Sequence, residues 1–361
     1  MIKKIDKYIV KQFLQTFLFG ILIFALVFIV IDLMEKLDDF IDQSVSFDVA
    51  IEYYLVFIPE IIKLITPVAI LLSALFTTGK MSSLNEVTAM RSAGISYYRF
   101  LSPFLIVAFL VSIFAVYFGS YIVPMAQKHK IFIEQSYLKK GIVRDHSNIY
   151  FQDSPTRIVT ISYYNLKKNS AERVGIQEFD PANTTIMRKR IDAFNMSYDS
   201  THSSWIMKKA IVRTFSDSSS TMLKLDTLIL SDLNFSPSDV IKKQMKPEEM
   251  NLTELAEYAK DNLKSGNDPT RILIEYHSRF AFGFASFVVV LFGLTVSPNN
   301  RKGGVALQFG INISITFVYL IFMKISQAFG KNGIVEPLLT AWLANLIFLV
   351  FGIINLLRAN K

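Results

Sequence analysis

Long apolar stretches alternate with polar ones along the chain, and their lengths predict its architecture. A helix needs about 20 mostly apolar residues to cross the roughly 30 Å of hydrocarbon in a bilayer. The first stretch is too long for the core of a signal peptide and no A-x-A cleavage site follows it, so we expect a retained span. Six stretches come close to the required length: residues 13–34, 53–78, 100–123, 280–296, 305–323 and 338–357. The pattern predicts six membrane-spanning helices, three on each side of a long polar interval.

The polar interval shows a two-residue period. Val159 and Ile161 fall on one face of a strand, and Phe194 and Met196 are expected to share a face farther along. Such alternation, with turns rich in Asn, Asp, Ser and Pro, predicts antiparallel strands. A β-sandwich, a jelly roll and an open barrel are all consistent with this pattern. The predicted domains are spans 1–3 over residues 1–126, a β domain over 127–250, a connecting helix over 251–269 and spans 4–6 over 270–361.

Composition supports a membrane protein and excludes several kinds of chemistry. The 361 residues are 52% hydrophobic and 19% charged, whereas water-soluble domains average about 25% charged residues. The chain has no cysteine, so disulfides and thiolate metal sites are excluded. No phosphate-binding glycine loop, catalytic triad or histidine metal motif is present. We therefore expect neither an enzyme nor a bound cofactor.

The distribution of basic residues predicts the orientation in the membrane. The short loops on one side hold few of them, Lys36 and Lys331. The opposite side holds eleven: Lys3, Lys4, Lys7, Lys11, Lys80, Arg91, Arg99, Arg301, Lys302, Arg358 and Lys361. Because basic residues concentrate in cytoplasmic loops, we expect both termini in the cytoplasm and the β domain outside it. The net charge of +8 then reflects topology, which argues against nucleic-acid binding.

The loop between spans two and three predicts an amphipathic cytoplasmic helix over about residues 82–96. Ser82 or Ser83 can cap its start, and Leu84, Val87 and Met90 follow at spacings of three, which places them on one face. A helix joined at both ends to spans is well placed to bind a moving partner. The same pattern also fits a helix that lies on the lipid surface, so both interpretations stay open.

Several further residues are candidates for a substrate path. Glu60 with Lys63, and Glu275 with Arg279, place charges within or near spans. Such charges are costly in a bilayer and are usually paired or face a cavity, so each pair is either an ion pair near the interface or part of a polar lining. In the β domain, Phe194, Met196 and Trp205 could line an acyl-chain cavity or fill a core.

Motifs spread over the whole chain resemble the lipopolysaccharide export permease family LptF/LptG. They comprise Pro59 and Pro67, the loop pattern Glu86, Ala89, Arg91, Gly94 and Ser96, the span-four entry Glu275 to Arg279, Gly293, the turn Arg301, Gly303 and Gly304, and Trp342 with Asn345. The resemblance implies an inner-membrane ABC transporter permease with six spans and a periplasmic β-jellyroll, active in outer-membrane biogenesis.

The resemblance also implies partners and residue roles. A second permease and a cytoplasmic ATPase dimer that holds ATP and magnesium would complete the transporter, and a periplasmic bridge of like β folds would receive lipopolysaccharide. Glu86 would contact the ATPase, and Gly94 would allow the turn back to the membrane. The chain departs from the family at the outer end of span one, where Asp32 and Lys36 replace a basic cluster that holds lipid phosphates. A scaffold that relays ATPase motion without moving lipid is the alternative.

Overall fold

The structure, a computed structural model, describes residues 4–138, 147–165, 169–200, 202–216, 219–242, 245–264, 266–296 and 304–358. Five of the residues used above, Lys3, Arg301, Lys302, Gly303 and Lys361, lie outside them. The chain divides into two compact units, one formed by Met1–Leu138 with Thr270–Lys361 and the other by Lys139–Pro269. Each unit is described by itself.

The first half of the helical unit is built from long helices joined by short turns. They are α1 (Lys4–Asp42), α2 (Phe47–Ser83), α3 (Glu86–Ser92) and α4 (Tyr97–Tyr117), which continues through a π-helical turn (Phe118–Ile122) into α5 (Val123–Ser136). With 37 residues, α2 is about 55 Å long, so it extends well beyond the hydrocarbon. Because α5 continues to Ser136, residue 126 lies inside a helix rather than at the start of the β domain.

The inserted unit is one antiparallel sheet followed by short helices. Its strands are β1 (Ser147–Ser154), β2 (Arg157–Asn165), β3 (Ser170–Phe179), β4 (Met187–Asp199), β5 (Ser204–Ser216) and β6 (Ser219–Leu230). Each strand pairs with its neighbour in the chain, so β1 and β6 are the two edges. The chain continues through α6 (Pro237–Lys242), a 3-10 turn (Pro247–Glu249) and α7 (Leu252–Lys264). The all-β character of the insert is confirmed.

The start of α7 follows the sequence signal. The backbone N–H of Glu254 donates to Asn251 Oδ1 at 2.9 Å, and the N–H of Asn251 donates to Glu254 Oε2 at 2.8 Å. These reciprocal bonds form a capping box, which satisfies two N–H groups that a helix start leaves without partners.

The predicted alternation breaks in the middle of the sheet. On β4 the buried side chains are Ile191, Ala193 and Met196, whereas Phe194 is 59% exposed. On β3 and β5, at the level of Phe194, Arg173 and Lys209 have φ angles of 51° and 53°. A left-handed residue within a strand interrupts the pleat and moves the following side chains to the other face. The expectation that Phe194 and Met196 share a face is therefore wrong.

The last three long helices complete the membrane unit. They are α8 (Thr270–Val296), α9 (Gly304–Lys331) and α10 (Pro337–Arg358). Among the described residues, six helices are long and apolar enough to cross a membrane, when α4, the π-helical turn and α5 are counted as one. The prediction of three spans, a β insert and three spans is confirmed. Most of α8 is buried, so it forms the centre of the bundle.

Candidate functional site

The loop between the second and third spans carries a shorter helix than predicted. Ser82 and Ser83 belong to the last turn of α2, so neither caps the start of α3. Asn85 precedes α3 instead, with a φ of 58°. Asparagine tolerates this left-handed conformation better than most residues. The sharp break at Asn85 separates α3 from α2, which shortens the expected helix at its start.

Gly94 follows the end of α3 in a left-handed conformation. Its φ is +79°, a region that costs side chains about 1–2 kcal/mol. The N–H of Ile95 donates to Met90 O at 3.0 Å, and the N–H of Gly94 donates to Arg91 O at 3.0 Å. Ser96 then caps α4 by accepting from the N–H of Arg99 at 3.3 Å. These bonds fix where the chain turns back toward the membrane.

One face of α3 packs on the bundle and the other is open. Val87 and Met90 are partly buried against the helical core, whereas Ala89 and Arg91 are exposed and Leu84 is 59% exposed. The predicted apolar stripe is thus present only over Val87 and Met90. The exposed face is available to a partner.

Side-chain contacts connect α3 and its flanks to three other helices. The Tyr8 hydroxyl on α1 donates to Glu86 Oε1 at 3.1 Å. The guanidinium of Arg91 lies 5.6 Å from the centre of the Tyr97 ring, a cation–π distance. The hydroxyl of Tyr97 donates to Leu294 O on α8 at 2.7 Å. A displacement of α3 would therefore act on α1 and α4 directly and on α8 through Tyr97.

Lys36 is already neutralised within the chain. Its ammonium pairs with Asp32 at 3.0 Å and with Glu134 at 3.5 Å, and it donates to the Tyr53 hydroxyl. Its side chain is 17% exposed. Two carboxylates next to one ammonium repel an approaching phosphate, so this position has poor chemistry for holding lipid phosphates.

Glu60 and Lys63 do not form the ion pair that their spacing suggests. Glu60 Oε2 instead accepts from Lys130 Nζ on α5 at 2.8 Å. Spacing along one helix predicts only contacts within that helix, whereas Lys130 belongs to α5, a different helix that packs against α2. Among the described residues, Lys63 has no ion-pair partner.

Glu275 and Arg279 do form the expected pair, with Arg279 Nε 3.6 Å from Glu275 Oε1. The guanidinium is almost fully buried and also donates from Nη1 to the carbonyl oxygen of Ser120 at 3.3 Å. Ser120 belongs to the π-helical turn, where the usual backbone pattern is interrupted and carbonyl groups are left for other donors. Arg279 therefore joins α8 to the third span.

An open apolar groove of about 620 Å³ lies between α1, α2 and α9. Its lining is mostly apolar: Gln15, Thr16, Phe19, Gly20, Phe24, Ala69, Leu72, Ser73, Phe76 and Ile313. Ligand sites commonly combine apolar walls with a few polar groups. The sequence does not identify these residues as ligand-binding ones, because phenylalanines at helical spacing are equally typical of a lipid-facing surface.

The candidate residues of the β unit do not form one cavity. Met196 and Trp205 are buried in a filled core, where Trp205 Nε1 donates to Phe235 O at 2.8 Å. Burial raises the pKa of Tyr164, in the same core, to about 12. Phe194 lies on the opposite face. The idea that Phe194, Met196 and Trp205 line one acyl-chain cavity is therefore wrong.

One concavity within the described part of this unit is acidic. Its volume is about 450 Å³, and its charged lining is Asp153, Asp239, Glu254, Glu257, Asp261 and Lys264. Carboxylates of this kind are unsuited to acyl chains. No group of three or more His, Asp or Glu side chains in the described ranges has an arrangement that could hold a metal ion.

The fold defines a multi-pass helical membrane protein with an inserted β unit. The family model for the lipopolysaccharide export system permease LptF/LptG matches residues 7–358, nearly the whole chain. The protein therefore belongs to the LptF/LptG family, whose members are permeases rather than enzymes, and it is a multi-pass inner-membrane protein. No curated protein matches the chain.

Proposed function

We propose that this chain is the permease subunit of an ABC transporter that extracts lipopolysaccharide, or a similar glycolipid, from the inner membrane. The open apolar groove between α1, α2 and α9 is the observation that carries the proposal. Its mostly apolar walls suit acyl chains. A second permease of the same family would face this groove and complete the path.

Energy would come from a partner ATPase dimer that binds ATP and magnesium, and this chain itself would bind no cofactor. The exposed face of α3 supports this role, with Glu86, Ala89, Arg91, Gly94 and Ser96 at or near the contact. The bonds from Glu86 to Tyr8 and from Tyr97 to Leu294 offer a mechanical route from the ATPase to the spans. Both termini and α3 would lie in the cytoplasm, as the basic residues predict.

The β unit would lie in the periplasm and pass the glycolipid to a bridge protein of like fold. Strand β6 supports this proposal because it is an edge of the sheet and most of its residues are exposed. Free backbone donors and acceptors on an edge can pair with a strand of another chain.

A second function is a scaffold that relays ATPase motion to a periplasmic partner without moving lipid. The filled core around Trp205 and the neutralised Lys36 favour it, because neither offers a place for lipid. The two functions differ in whether glycolipid enters the spans.

Reconstituted transport tests the proposal. Proteoliposomes containing the chain with its co-purified ATPase and second permease should release lipopolysaccharide to a bridge protein only when ATP is added. Leu72→Trp should slow this release because it narrows the groove, whereas Leu346→Trp, on the exposed surface of α10, should not. Equal release by the two variants would contradict the groove as the path. ATP hydrolysis without any release would favour the scaffold.

A further inference from the structure

A second cavity lies within the membrane unit, on the other side of α1 from the groove. Helices α1, α2, α4 and α8 enclose a volume of about 170 Å³. At 100° per residue, Phe17 and Ile21 of this cavity point away from Gln15 and Phe19 of the groove. The two concavities are therefore separate sites.

One charged side chain, Lys63, lines this apolar cavity. Its ammonium is 5.9 Å from the centre of the Phe282 ring. A Cβ added at Gly119, in the π-helical turn, would lie 3.7 Å from Cδ and Cε of Lys63, so the aliphatic part of the side chain packs closely there. Within the described ranges the ammonium has neither an ion pair nor a hydrogen bond. A cation held in an apolar membrane site without an anion is costly, which points to an anionic ligand.

The charges around Lys63 do not supply that anion. Its electrostatic neighbours are Glu60, Glu275, Arg279 and Lys324. Glu60 is paired with Lys130, and Glu275 with Arg279. The cluster, counted with Lys63 and Lys130, thus has four cations and two carboxylates, and an excess of two positive charges remains.

A buried hydroxyl in the same cavity also lacks a partner. Ser286 is fully buried, and no hydrogen bond to its Oγ occurs in the described structure. Ser286 follows Phe282 by about one helical turn, or about 6 Å along the axis. A buried polar group without a partner costs free energy. An ester carbonyl below a headgroup at Lys63 could accept from this hydroxyl.

The depth of Lys63 matches a lipid headgroup. The next charged residue on α2 is Lys80, seventeen positions farther on, which corresponds to about 25 Å of helix. With Lys80 at the cytoplasmic edge of a hydrocarbon layer about 30 Å thick, Lys63 lies near the opposite edge. On the proposed topology this is the outer leaflet.

We infer that the cavity is a binding site for an anionic phospholipid of the bilayer, distinct from the transported glycolipid. The phosphate pairs with Lys63, part of one acyl chain enters the apolar cavity, and Ser286 donates to an ester carbonyl. The site joins α1, α2, α4 and α8 through one lipid, and it goes beyond the proposed transport function.

Native mass spectrometry of the full-length chain, titrated with phosphatidylglycerol or phosphatidylcholine of identical acyl chains, tests the inference. The unaltered chain should retain phosphatidylglycerol in preference to phosphatidylcholine. Lys63→Met should weaken that binding by at least about fivefold, the effect of one lysine near a charged membrane surface. Lys331→Met, on the exposed last turn of α9, removes the same charge elsewhere and should leave the binding unchanged. Ala115→Phe fills the cavity and should weaken binding while Lys63 stays in place.

Three results would overturn the inference. The first is equal retention of the two phospholipids by the unaltered chain, which needs no variant to fold. The second is an equal effect of Lys63→Met and Lys331→Met in chains with unchanged thermal unfolding. The third is displacement of phosphatidylglycerol by added lipopolysaccharide, which would make Lys63 part of the substrate path. None of these results depends on ATP-driven transport, so the proposed function is tested separately.

Discussion

Replacing Glu86 with lysine should abolish ATP-driven lipopolysaccharide export while thermal unfolding of the chain stays unchanged. The residue lies at the start of α3 on the surface proposed to contact the ATPase, and its intrachain bond is one exposed contact with Tyr8. Losing one partner of a buried interfacial charge pair costs about 2–5 kcal/mol, so binding of the ATPase should weaken by at least about thirtyfold. Co-purification of the ATPase and the rate of release measure the effect.

Two control variants separate the ATPase contact from the bond inside the chain. Tyr8→Phe removes one bond of the proposed mechanical route and keeps the Glu86 charge that contacts the ATPase, so export should fall less than in Glu86→Lys. Glu86→Gln keeps an oxygen that can accept from Tyr8 and removes the charge, so export should fall. If Tyr8→Phe were as inactive as Glu86→Lys, the bond between α1 and α3 would be the essential one. Full activity of Glu86→Lys would remove the coupling role of α3.

The second large effect is expected at Gly283 on α8. A Cβ added there would lie 2.9 Å from the backbone N and 3.1 Å from the Cα of Val116, and it would also overlap the Val116 side chain. Backbone cannot move aside as a flexible side chain can, so α8 and α4 would have to separate. Gly283→Ala should therefore lower the free energy of unfolding by about 1–3 kcal/mol.

Gly310 on α9 is the matched control for this substitution. No atom lies within 4 Å of a Cβ added at Gly310. Alanine favours a helix over glycine by about 1 kcal/mol, so Gly310→Ala should be neutral or stabilising. Thermal unfolding in detergent compares the two variants. Equal stability would mean that α8 and α4 do not approach as closely as the structure has them.

Much of the fold could be predicted from the sequence because the bilayer imposes a length on each span. The ends of the helices could not be predicted in this way. Helices α2 and α5 extend beyond the apolar stretches, and hydropathy does not identify a helix in a polar stretch. Ser82 and Ser83 are good capping residues, yet α2 ends after them and the break occurs at Asn85. The φ of Asn85 is 58°, and the residue type alone does not predict this left-handed conformation. Gly94 has a φ of +79°, a conformation that favours glycine, so its place in the turn depends on its backbone.

The candidate site was harder to predict because it depends on contacts between distant parts of the chain. Glu60 pairs with Lys130, seventy residues away, rather than with Lys63 three residues away. Phe194 and Met196 are two residues apart, which predicts that they share a face of the sheet, but they lie on opposite faces. The left-handed residues Arg173 and Lys209 in the adjacent strands interrupt the pleat at this level. Lys36 carries the expected charge, but its partner Glu134 lies on another helix. The groove likewise exists only through the packing of three helices.

Photo-crosslinking in the groove tests the central proposal most directly. A photoreactive phenylalanine at Phe19, which lines the groove and is 64% exposed, should capture lipopolysaccharide in the assembled transporter, and ATP should change the yield. The same probe at Phe351, 56% exposed on α10, should capture ordinary bilayer lipid with no response to ATP. Lipopolysaccharide adducts that form in the β unit but never at Phe19, with or without ATP, would contradict a path through the spans and support the scaffold.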